Sequence, residues 1–387
     1  MKRYFILMFF MIIIISFNQV VCETALHAKI IVDPGESIQS AIDKAKNGDV
    51  IYVKSGVYRE SINVTKQVKL VGMDQPVIDA QDGENAVTLS VNGTVFDGFK
   101  TIGSVSNGIF VLSSHNYMAN NTVSDAIDAI FLEKSHGNTI CFNQANGDGL
   151  FGQGIVLNCS SGNLIMENSA VCNLLGIGIY LTESSNNTIF KNSARNGGIA
   201  GSGIVLANNS NYNRLMKNEA VCGWNGIGIY LMNSAQNLID GNNASTTCWG
   251  WRSIWTVYWG NGINLQNSDK NLLKNNSVSN GYFGIYLMYS DENELSGNDA
   301  AKNLNGFGLI ESKRNRIIDN TAKNNSEYGL GFLASSEGNS LMNNTIRGSK
   351  YGIYLQDSSH NSISSNNSFQ GNSINKESLR SVNSWQI

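Results

Sequence analysis

A six-residue motif that recurs eleven times constrains the fold of this chain more than any other feature. The motif is N-x-[ILM]-x-x-N; nine of the ten intervals between successive copies span 22 to 26 residues, and one spans 34. A period of this length is typical of solenoids, in which each repeat forms one coil of a continuous stack. The first residues of the eleven copies are Asn116, Asn138, Asn163, Asn187, Asn213, Asn237, Asn271, Asn293, Asn315, Asn339 and Asn361.

The apolar residues of the repeat indicate short β-strands. The position two residues after the first Asn is Ile, Leu or Met in every copy, and the position seven residues after it is Ala, Val or Ile in every copy except the one with Ser368. A G-I-x-L segment precedes most copies. Because successive residues of a strand point to opposite sides, each repeat offers an apolar row that is buried only when another repeat stacks on it. Helical repeats fit this pattern badly, because Asn and Gly are poor helix formers.

The recurring Asn has a structural explanation. We expect it at sharp corners, where the backbone enters the left-handed region that Asn and Gly tolerate best. Stacked Asn amides also hydrogen-bond from coil to coil and satisfy corner groups that would otherwise be buried unpaired. The repeats therefore predict an all-β solenoid of about eleven regular coils, roughly 50 Å long at ~4.8 Å per coil.

Residues 1–22 are predicted to be a signal peptide, because Lys2 and Arg3 precede a long apolar run. The alternative is an uncleaved membrane anchor. No later segment is apolar enough to span a bilayer, so the mature chain is expected to be exported to an extracellular, cell-surface or periplasmic location. The formal net charge of −3 gives no indication of a nucleic-acid partner.

Residues 23–103 lack the motif and are predicted to form an N-terminal cap and the first coils. Ser37 is the expected N-cap of a short helix that ends at Gly48, with an apolar face of Ile38, Ala41, Ile42 and Ala45. The β-helix repeats are assigned to residues 104–375, with an aromatic insertion at 246–261. Residues 376–387 are expected to be a C-terminal tail.

Two segments resemble a known family. The run "SIQSAIDKAKNGDVIYVKSGVYRESI" resembles the N-terminal cap of the right-handed parallel β-helices of the pectin-lyase-like superfamily. Repeats such as "GIGIYLTESSNNTIFKNSARN" resemble those of its NosD-like, or CASH-domain, branch (PbH1 repeats). The resemblance covers about residues 30–375 and implies a right-handed parallel β-helix with a short capping α-helix. Relatives include polysaccharide lyases, hydrolases and epimerases, carbohydrate-binding surface proteins, and an accessory factor for copper delivery to nitrous oxide reductase, so the function stays open.

The single interval of 34 residues marks an insertion rich in aromatic residues. Exposed aromatic faces stack on sugar rings or on apolar ligands, so we expect this loop to bind a ligand. The alternatives are that the loop packs on itself or makes a dimer contact. Its candidate residues are Trp249, Trp251, Arg252, Trp255, Tyr258 and Trp259, with Trp224 one coil earlier.

The G-I-x-L strands offer a second candidate surface. In these strands Ile and Leu point inward, and the residue between them points outward. The outward column contains Tyr180, Tyr230 and Tyr286, which recur every second coil, ~10 Å apart. That spacing is close to a disaccharide repeat, and in relatives that cleave polysaccharides this face is the substrate groove. The alternative is an ordinary strand surface.

The candidates for catalysis are three aspartates. Asp125, Asp128 and Asp148 lie at similar distances after their own Asn, so they could approach one another on adjacent coils and hold Ca²⁺. The alternative is that they are solvated corner carboxylates. The catalytic motifs of the resembled families are not found: the only Asp-Pro, at Asp33-Pro34, is followed by Gly rather than by the His of the epimerases.

The histidines and cysteines are considered as metal ligands and as disulfide partners. Copper needs His, Met or thiolate ligands gathered together, and the four histidines are scattered, so no metal site is predicted. Cys222 and Cys248 lie one coil apart in nearly matching register, which makes a disulfide between them a hypothesis.

The sequence therefore predicts an exported NosD-like β-helix that binds a glycan or cell-surface polymer along the G-I-x-L face. One alternative is a polysaccharide lyase, hydrolase or epimerase with an unrecognised site. The other is a NosD-type accessory protein in copper delivery to a metalloenzyme. The oligomeric state is left open.

Overall fold

The repeats stack into a parallel β-helix in which a typical coil contributes one strand to each of three faces. The computed structural model describes residues 27–246 and 260–385. The first face is a sheet of 16 strands, so the axis passes through about fifteen turns. The paired strands of all three faces are parallel and in register, as in Leu164↔Thr188 on the first face and Ile179↔Ile204 on the third. The predicted all-β parallel β-helix is thereby confirmed.

The first face contains the aliphatic residue of the Asn motif. Its strands are Lys29–Val32, Val50–Val53, Lys69–Gly72, Val95–Asp97, Tyr117–Ala119, Thr139–Cys141, Leu164–Met166, Thr188–Phe190, Arg214–Met216, Leu238–Asp240, Leu272–Lys274, Glu294–Ser296, Arg316–Ile318, Ser340–Met342, Ser362–Ile363 and Ser384–Trp385.

The second face follows the second Asn of each motif. Its strands are Val57–Tyr58, Thr122–Val123, Gln144–Asn146, Ser169–Cys172, Ser193–Asn196, Glu219–Cys222, Asn243–Thr246, Ser277–Ser279, Asp299–Ala301, Thr321–Lys323, Thr345–Arg347 and Ser368–Gln370.

The third face consists mainly of the G-I-x-L strands. Its strands are Ile62–Val64, Asp128–Glu133, Gln153–Asn158, Ile177–Thr182, Ser202–Ala207, Ile227–Met232, Asn261–Gln266, Phe283–Met288, Asn305–Ile310, Tyr328–Leu333, Tyr351–Gln356 and Ile374–Leu379. Two longer strands, Val77–Leu89 and Lys100–Val111, bend around the corner and belong to both the second and third faces.

The core consists of the residues that the repeat predicted to point inward. The aliphatic residue of every motif copy is fully buried, including Ile189 and Leu215, which pair directly on neighbouring strands. The small residue of the second face packs against the glycine that begins the third-face strand: a Cβ added at Gly203 would lie 3.0 Å from the Cβ of Ala220. The two faces meet closely here, which explains why Gly and Ala recur at these positions.

The Asn side chains form two hydrogen-bonded ladders along the axis. In the first ladder, the Oδ1 of Asn187 accepts from the backbone N and the Nδ2 of Asn163, at 2.8 and 3.1 Å. In the second ladder, Asn218 accepts from Asn192 in the same way. The predicted coil-to-coil amide bonding is confirmed.

The proposed backbone role of these Asn residues is wrong. In every coil before the last, the left-handed residue is the one before the ladder Asn; examples are Asn186, Glu167 and Lys217, with φ values of 58°, 54° and 56°. The ladder Asn itself is not left-handed. The ladder position therefore requires Asn for its amide, which supplies both a donor and an acceptor to a buried corner. The left-handed position before it accepts Lys and Glu as well as Asn.

The ends of the solenoid differ in detail from the prediction. The helix Ile38–Lys44 has Ser37 as its N-cap, and Ile38, Ala41 and Ile42 are buried, as expected. It ends before Gly48, because the backbone is already extended at the C-cap residue Ala45. The predicted tail of residues 376–387 is wrong in part, because Ile374–Leu379 and Ser384–Trp385 pair with the preceding coil. The predicted boundary at residue 103 falls inside the strand Lys100–Val111.

Within residues 27–246 and 260–385, no helix has the length and apolar character that crossing a membrane requires. Residues 1–26, 247–259 and 386–387 lie outside the described part. The predicted signal peptide and most of the aromatic insertion fall on these residues.

Candidate functional site

The outward residues of the third face form the predicted column. Strand register places these residues in one line along the axis, here named the central column: Phe110, Phe131, Val156, Tyr180, Val205, Tyr230, Asn264, Tyr286, Gly308, Gly331 and Tyr354. The structure therefore brings Tyr180, Tyr230 and Tyr286 together on one face, every second coil, as the sequence predicted.

Large and small residues alternate along the middle of the central column. Val156 and Val205 expose only 2% and 5% of their surfaces, although both are on the outer side of the strand. Each lies between two bulky aromatic residues, whereas Tyr180, Tyr230 and Tyr286 are only half-buried. Because a smaller residue separates successive rings, each ring has the space of two coils along the axis. The rings therefore recur on the outer surface at roughly 10 Å intervals.

The row of rings continues beyond Tyr286 in a form that sequence reasoning missed. Phe283 stacks on Tyr286 with ring centroids 4.6 Å apart and planes 9° from parallel. Tyr328 stacks on Tyr354 at 4.7 Å and 19°. A Cβ added at Gly308 would lie 2.2 Å from the Phe283 ring, so the ring covers that glycine. The sequence contains a signal for this stacking. Gly308 and Gly331 occupy the central column, where they leave room for a ring. Phe283 begins the strand before that of Gly308, and Tyr328 begins the strand of Gly331.

A second outward line, here named the leading column, contains polar atoms without partners. It consists of Asp128, Gln153, Ile177, Ser202, Ile227 and Asn261, followed by Phe283, Asn305, Tyr328 and Tyr351. The buried Oδ1 of Asp128, Oε1 of Gln153 and Oδ1 of Asn305 accept no hydrogen bond from any residue in the described ranges. Neither does the Oδ1 of Asn264 in the central column. All four atoms are acceptors, so each of them can receive a hydrogen bond from a ligand.

Burial raises the pKa of several groups on the third face. Burial raises the pKa of Asp128 to about 6. Burial, helped by Tyr289 and Tyr282, raises the pKa of Tyr286 to about 12. Burial also raises the pKa of Tyr230, whose hydroxyl hydrogen-bonds to Gln266. The strands from Asp128–Glu133 to Tyr351–Gln356 contain no Lys, Arg or His.

The three aspartates that were grouped as catalytic candidates are divided between two places. Asp125 and Asp148 are exposed and line a groove with Asp82 at the corner between the second and third faces. Asp128 lies on the third face itself. Among the described residues, no three His, Cys, Asp or Glu side chains are close enough together to hold a metal ion. The expected convergence of these carboxylates on a cation is therefore not found.

The other candidates lie beside the third face or outside the described residues. Trp224 is exposed and lies in the corner loop that precedes the strand Ile227–Met232. Trp249, Trp251, Arg252, Trp255, Tyr258 and Trp259 lie outside the described residues, and so does Cys248. Their grouping with Trp224 and the Cys222–Cys248 disulfide therefore stay predictions.

A group of sulfur-containing residues lies on the outer side of the first face. Register pairs Cys141 with Met166, Met166 with Phe190, and Phe190 with Met216. Cys141 and Met166 are thus direct neighbours on adjacent coils, about 4.8 Å apart along the axis. This pair does not stand out in the sequence, because Cys141 and Met166 follow the inward aliphatic residues Ile140 and Ile165 that define the repeat.

Comparisons with known proteins identify the family and the fold. The family described as periplasmic copper-binding protein (NosD) matches residues 39–246 and 253–386. The A-module of the Azotobacter vinelandii mannuronan C-5 epimerase AlgE4 is 15% identical, with 89% of this chain and 92% of that chain covered and a TM-score of 0.51. A double mutant of the periplasmic alginate epimerase AlgG is 14% identical, with 90% and 83% covered and a TM-score of 0.53. At these identities, the similarity of this chain to the two structures shows a common fold and nothing further. No curated protein sequence matches significantly.

Proposed function

The chain belongs to the NosD family of periplasmic copper-binding proteins, and on this basis we propose that it is an exported β-helix that binds a neutral glycan lengthwise along its third face. The observation that carries the proposal is the row of half-buried rings at Tyr180, Tyr230 and Tyr286. Aromatic faces bind the apolar faces of pyranose rings, and a spacing of roughly 10 Å matches every second sugar of an extended chain.

The unpartnered acceptors of the third face support a ligand rich in hydroxyl groups. A buried acceptor without a donor costs about 1–3 kcal/mol, so Asp128, Gln153, Asn264 and Asn305 favour any ligand that donates to them. Sugar hydroxyls are such donors. The rings and the acceptors lie on the same face, so one extended chain can contact both.

The strands from Asp128–Glu133 to Tyr351–Gln356 carry no cation, which supports a neutral glycan along this part of the third face. A uronic-acid polymer carries one carboxylate per sugar, and its binding needs Lys or Arg partners. The third-face strands from residue 128 to residue 356 contain none, and they contain two carboxylates, Asp128 and Glu133. The ligand therefore differs in charge class from alginate, despite the fold shared with the two alginate epimerases.

The test is binding of the full mature chain to a panel of soluble neutral glucans, mannans and galactans, with alginate as the anionic comparison. The double variant Tyr180→Ala/Tyr230→Ala is expected to lose about 2 kcal/mol, or about thirtyfold in affinity, because each ring contributes about 1 kcal/mol. Tyr212→Ala is the matched control, because Tyr212 is an exposed tyrosine in a corner loop away from this face. Binding of alginate alone, or equal loss in both variants, contradicts the proposal.

The same samples test for cleavage. Hydrolysis of a neutral glycan releases new reducing ends, and the pKa of Asp128, which burial raises to about 6, suits proton transfer near neutral pH. Reducing ends that appear with the native chain and not with Asp128→Asn would add a hydrolase activity to the glycan binding.

A second candidate function, copper binding, is favoured by the Cys141–Met166 pair. Thiolate and thioether are the ligands that Cu(I) prefers, and the two side chains are neighbours in register on adjacent coils, with Cys141 buried and Met166 partly exposed. We propose that this pair holds one Cu(I) as cargo. Competition with a chromophoric Cu(I) chelator should show one site that is lost in Cys141→Ser and weakened in Met166→Leu. Cys159→Ser is the control, because Cys159 lies outside this column; equal affinity in all variants would contradict the proposal.

A further inference from the structure

One corner of the β-helix carries a continuous line of exposed apolar side chains. These residues lie between the second and third faces on successive coils and expose between 39% and 62% of their surfaces. Here they are named the corner ridge: Val105, Ile127, Leu150, Phe151, Leu174, Leu175, Ile199 and Trp224. The ridge extends over five coil-to-coil steps, or about 24 Å. Apolar surface of this extent is uncommon on a chain that has no partner.

Stacked glycines explain why these side chains are exposed. A Cβ added at Gly176 would lie 2.0 Å from the carbonyl oxygen of Gly152, and one added at Gly201 would lie 2.3 Å from that of Gly176. The backbones of successive loops therefore touch directly at the glycine positions. The apolar side chains of the same loops are left at the surface, where the hydrophobic effect disfavours them.

The loops that carry the ridge are held in place before any partner binds. The Nδ2 of Asn196 donates to the carbonyl of Gly176 at 3.0 Å, and its Oδ1 accepts from the backbone N of Gly198 at 2.8 Å. The backbone N of Leu175 donates to the carbonyl of Leu150 on the coil before, at 3.0 Å. Binding to such a surface requires little ordering of the protein, which favours affinity.

The end of the ridge near Ile127 is acidic. Asp82, Asp125 and Asp148 line a groove of about 270 Å³ beside Ile127. Ser104, which also lines the groove, is 6% exposed, and its buried hydroxyl has no hydrogen-bond partner among the described residues. The corner segments 79–84, 103–106, 124–127, 147–152, 173–176, 197–201 and 223–226 contain no Lys, Arg or His. The carboxylates of these segments therefore have no cation on the same loops.

We propose that the corner ridge is a docking surface for a segment of another protein that is apolar over about 24 Å and carries Lys or Arg at the end that reaches Asp125 and Asp148. Charge complementarity selects this partner over the alternatives. An anionic bilayer would be repelled by the acidic end. A second copy that docked through its own ridge would bury the same carboxylates with no cation opposite them, because the loops that carry the ridge contain none. This docking surface is separate from the third face and does not depend on glycan binding.

The experiment is a selection of 16-residue peptides displayed on phage against the full mature chain. The matched counter-selection target is the double variant Leu174→Ser/Ile199→Ser, which removes two ridge residues whose side chains are exposed. The recovered peptides should combine Leu, Ile or Phe with Lys or Arg at one end. Synthetic copies should bind the native chain at least tenfold more tightly than the double variant in fluorescence anisotropy.

Two further variants separate the parts of the proposal. Asp125→Asn/Asp148→Asn should weaken peptide binding severalfold and flatten its dependence on salt. Leu112→Ser/Phe142→Ser removes exposed apolar residues outside the ridge and should leave binding unchanged. Circular dichroism checks that each variant is folded.

Three results would overturn the proposal. The first is recovery of no peptide, or of peptides that bind the ridge variant equally well. The second is recovery of acidic peptides. The third is ridge-dependent sedimentation with phosphatidylcholine or phosphatidylglycerol vesicles, or ridge-dependent dimerisation in analytical ultracentrifugation, without peptide binding.

Discussion

Replacing one rung of the second Asn ladder, Asn218→Ala, should destabilise the β-helix strongly although the side chain is neither apolar nor at a functional surface. The Oδ1 of Asn218 accepts from the backbone N and the Nδ2 of Asn192, at 2.9 and 3.1 Å. Its Nδ2 donates to the carbonyl of Ile189 at 2.8 Å and to the Oδ1 of Asn242 at 2.9 Å. All of these atoms are buried, so water cannot replace the lost partner.

The magnitude follows from the buried hydrogen bonds that are lost. The Nδ2 of Asn192 keeps its bond to Ile165, and the Oδ1 of Asn242 keeps its bond from the backbone of residue 218. The backbone N of Asn192 loses the acceptor that satisfied it, and the carbonyl of Ile189 loses its bond from Asn218 but stays in the ladder with the strand Arg214–Met216. At about 1–3 kcal/mol for the orphaned donor and about 1 kcal/mol for the other lost bond, the free energy of unfolding should fall by about 3 kcal/mol.

The assay is native-state hydrogen exchange by mass spectrometry, because a repeat protein opens locally and a single unfolding midpoint averages over many coils. Exchange should accelerate in the coils that contain Asn192, Asn218 and Asn242, and much less in distant coils. Asn173→Ala is the matched control, because Asn173 is an exposed corner residue and should change stability by less than about 0.5 kcal/mol. A loss below about 1 kcal/mol in Asn218→Ala, or equal loss in the two variants, would refute the reasoning.

Two other perturbations of stability and one of local structure have defined outcomes. Because burial raises the pKa of Asp128 above its unfolded value of 3.8 to about 6, its contribution to stability is fully present below pH 4 and is lost as the pH rises to 6. In urea unfolding at pH 4 and pH 6, the free energy of unfolding of the native chain should fall by about 2 kcal/mol more than that of Asp128→Asn, after allowance for the partial exposure of Asp128. An added Cβ at Gly198 lies 2.1 Å from a backbone nitrogen of the coil before, whereas at Gly197 the nearest atom is 4.0 Å away. Gly198→Ala should therefore lower the melting temperature by many degrees and Gly197→Ala should not; equal melting temperatures would contradict the stacking of these loops. Gly308→Ala should displace the Phe283 ring and change the near-ultraviolet circular dichroism, and an unchanged spectrum would show that the ring does not cover that glycine.

The inward-facing half of the structure could be predicted from the sequence because the core imposes the same requirement on every coil. Ile165, Ile189 and Leu215 occupy equivalent positions at which only an aliphatic residue is buried without cost, so the periodicity identified them. The Asn ladder was recognisable for the same reason. The backbone conformation at the corner could not be predicted. The left-handed residue directly precedes the ladder Asn, and the sequence does not say which of the two neighbouring residues is left-handed.

The outward-facing half could be predicted only in part. The column of Tyr180, Tyr230 and Tyr286 followed from strand alternation, which applies equally to both sides of a strand. The stacking of Phe283 on Tyr286 and the exposure of Leu174 and Ile199 did not follow from it. They depend on how glycines let rings tilt and loops approach one another, and this is a property of pairs of coils rather than of one repeat.

The separation of these two halves explains how one solenoid can carry several independent surfaces. Each coil contacts only its neighbours, and the contacts that hold it are the inward aliphatic residues, the amide ladders and the backbone pairing. Outward residues on the third face, the corner ridge and the Cys141–Met166 pair lie on different sides of the same coils and share none of these contacts. Substitutions at Tyr180, Ile199 or Met166 should therefore add without coupling, both in stability and in binding, because no network of shared partners connects them. A measured coupling between the third face and the ridge would mean that the coils move as a unit, and would require a longer-range element than the stacking described for this chain.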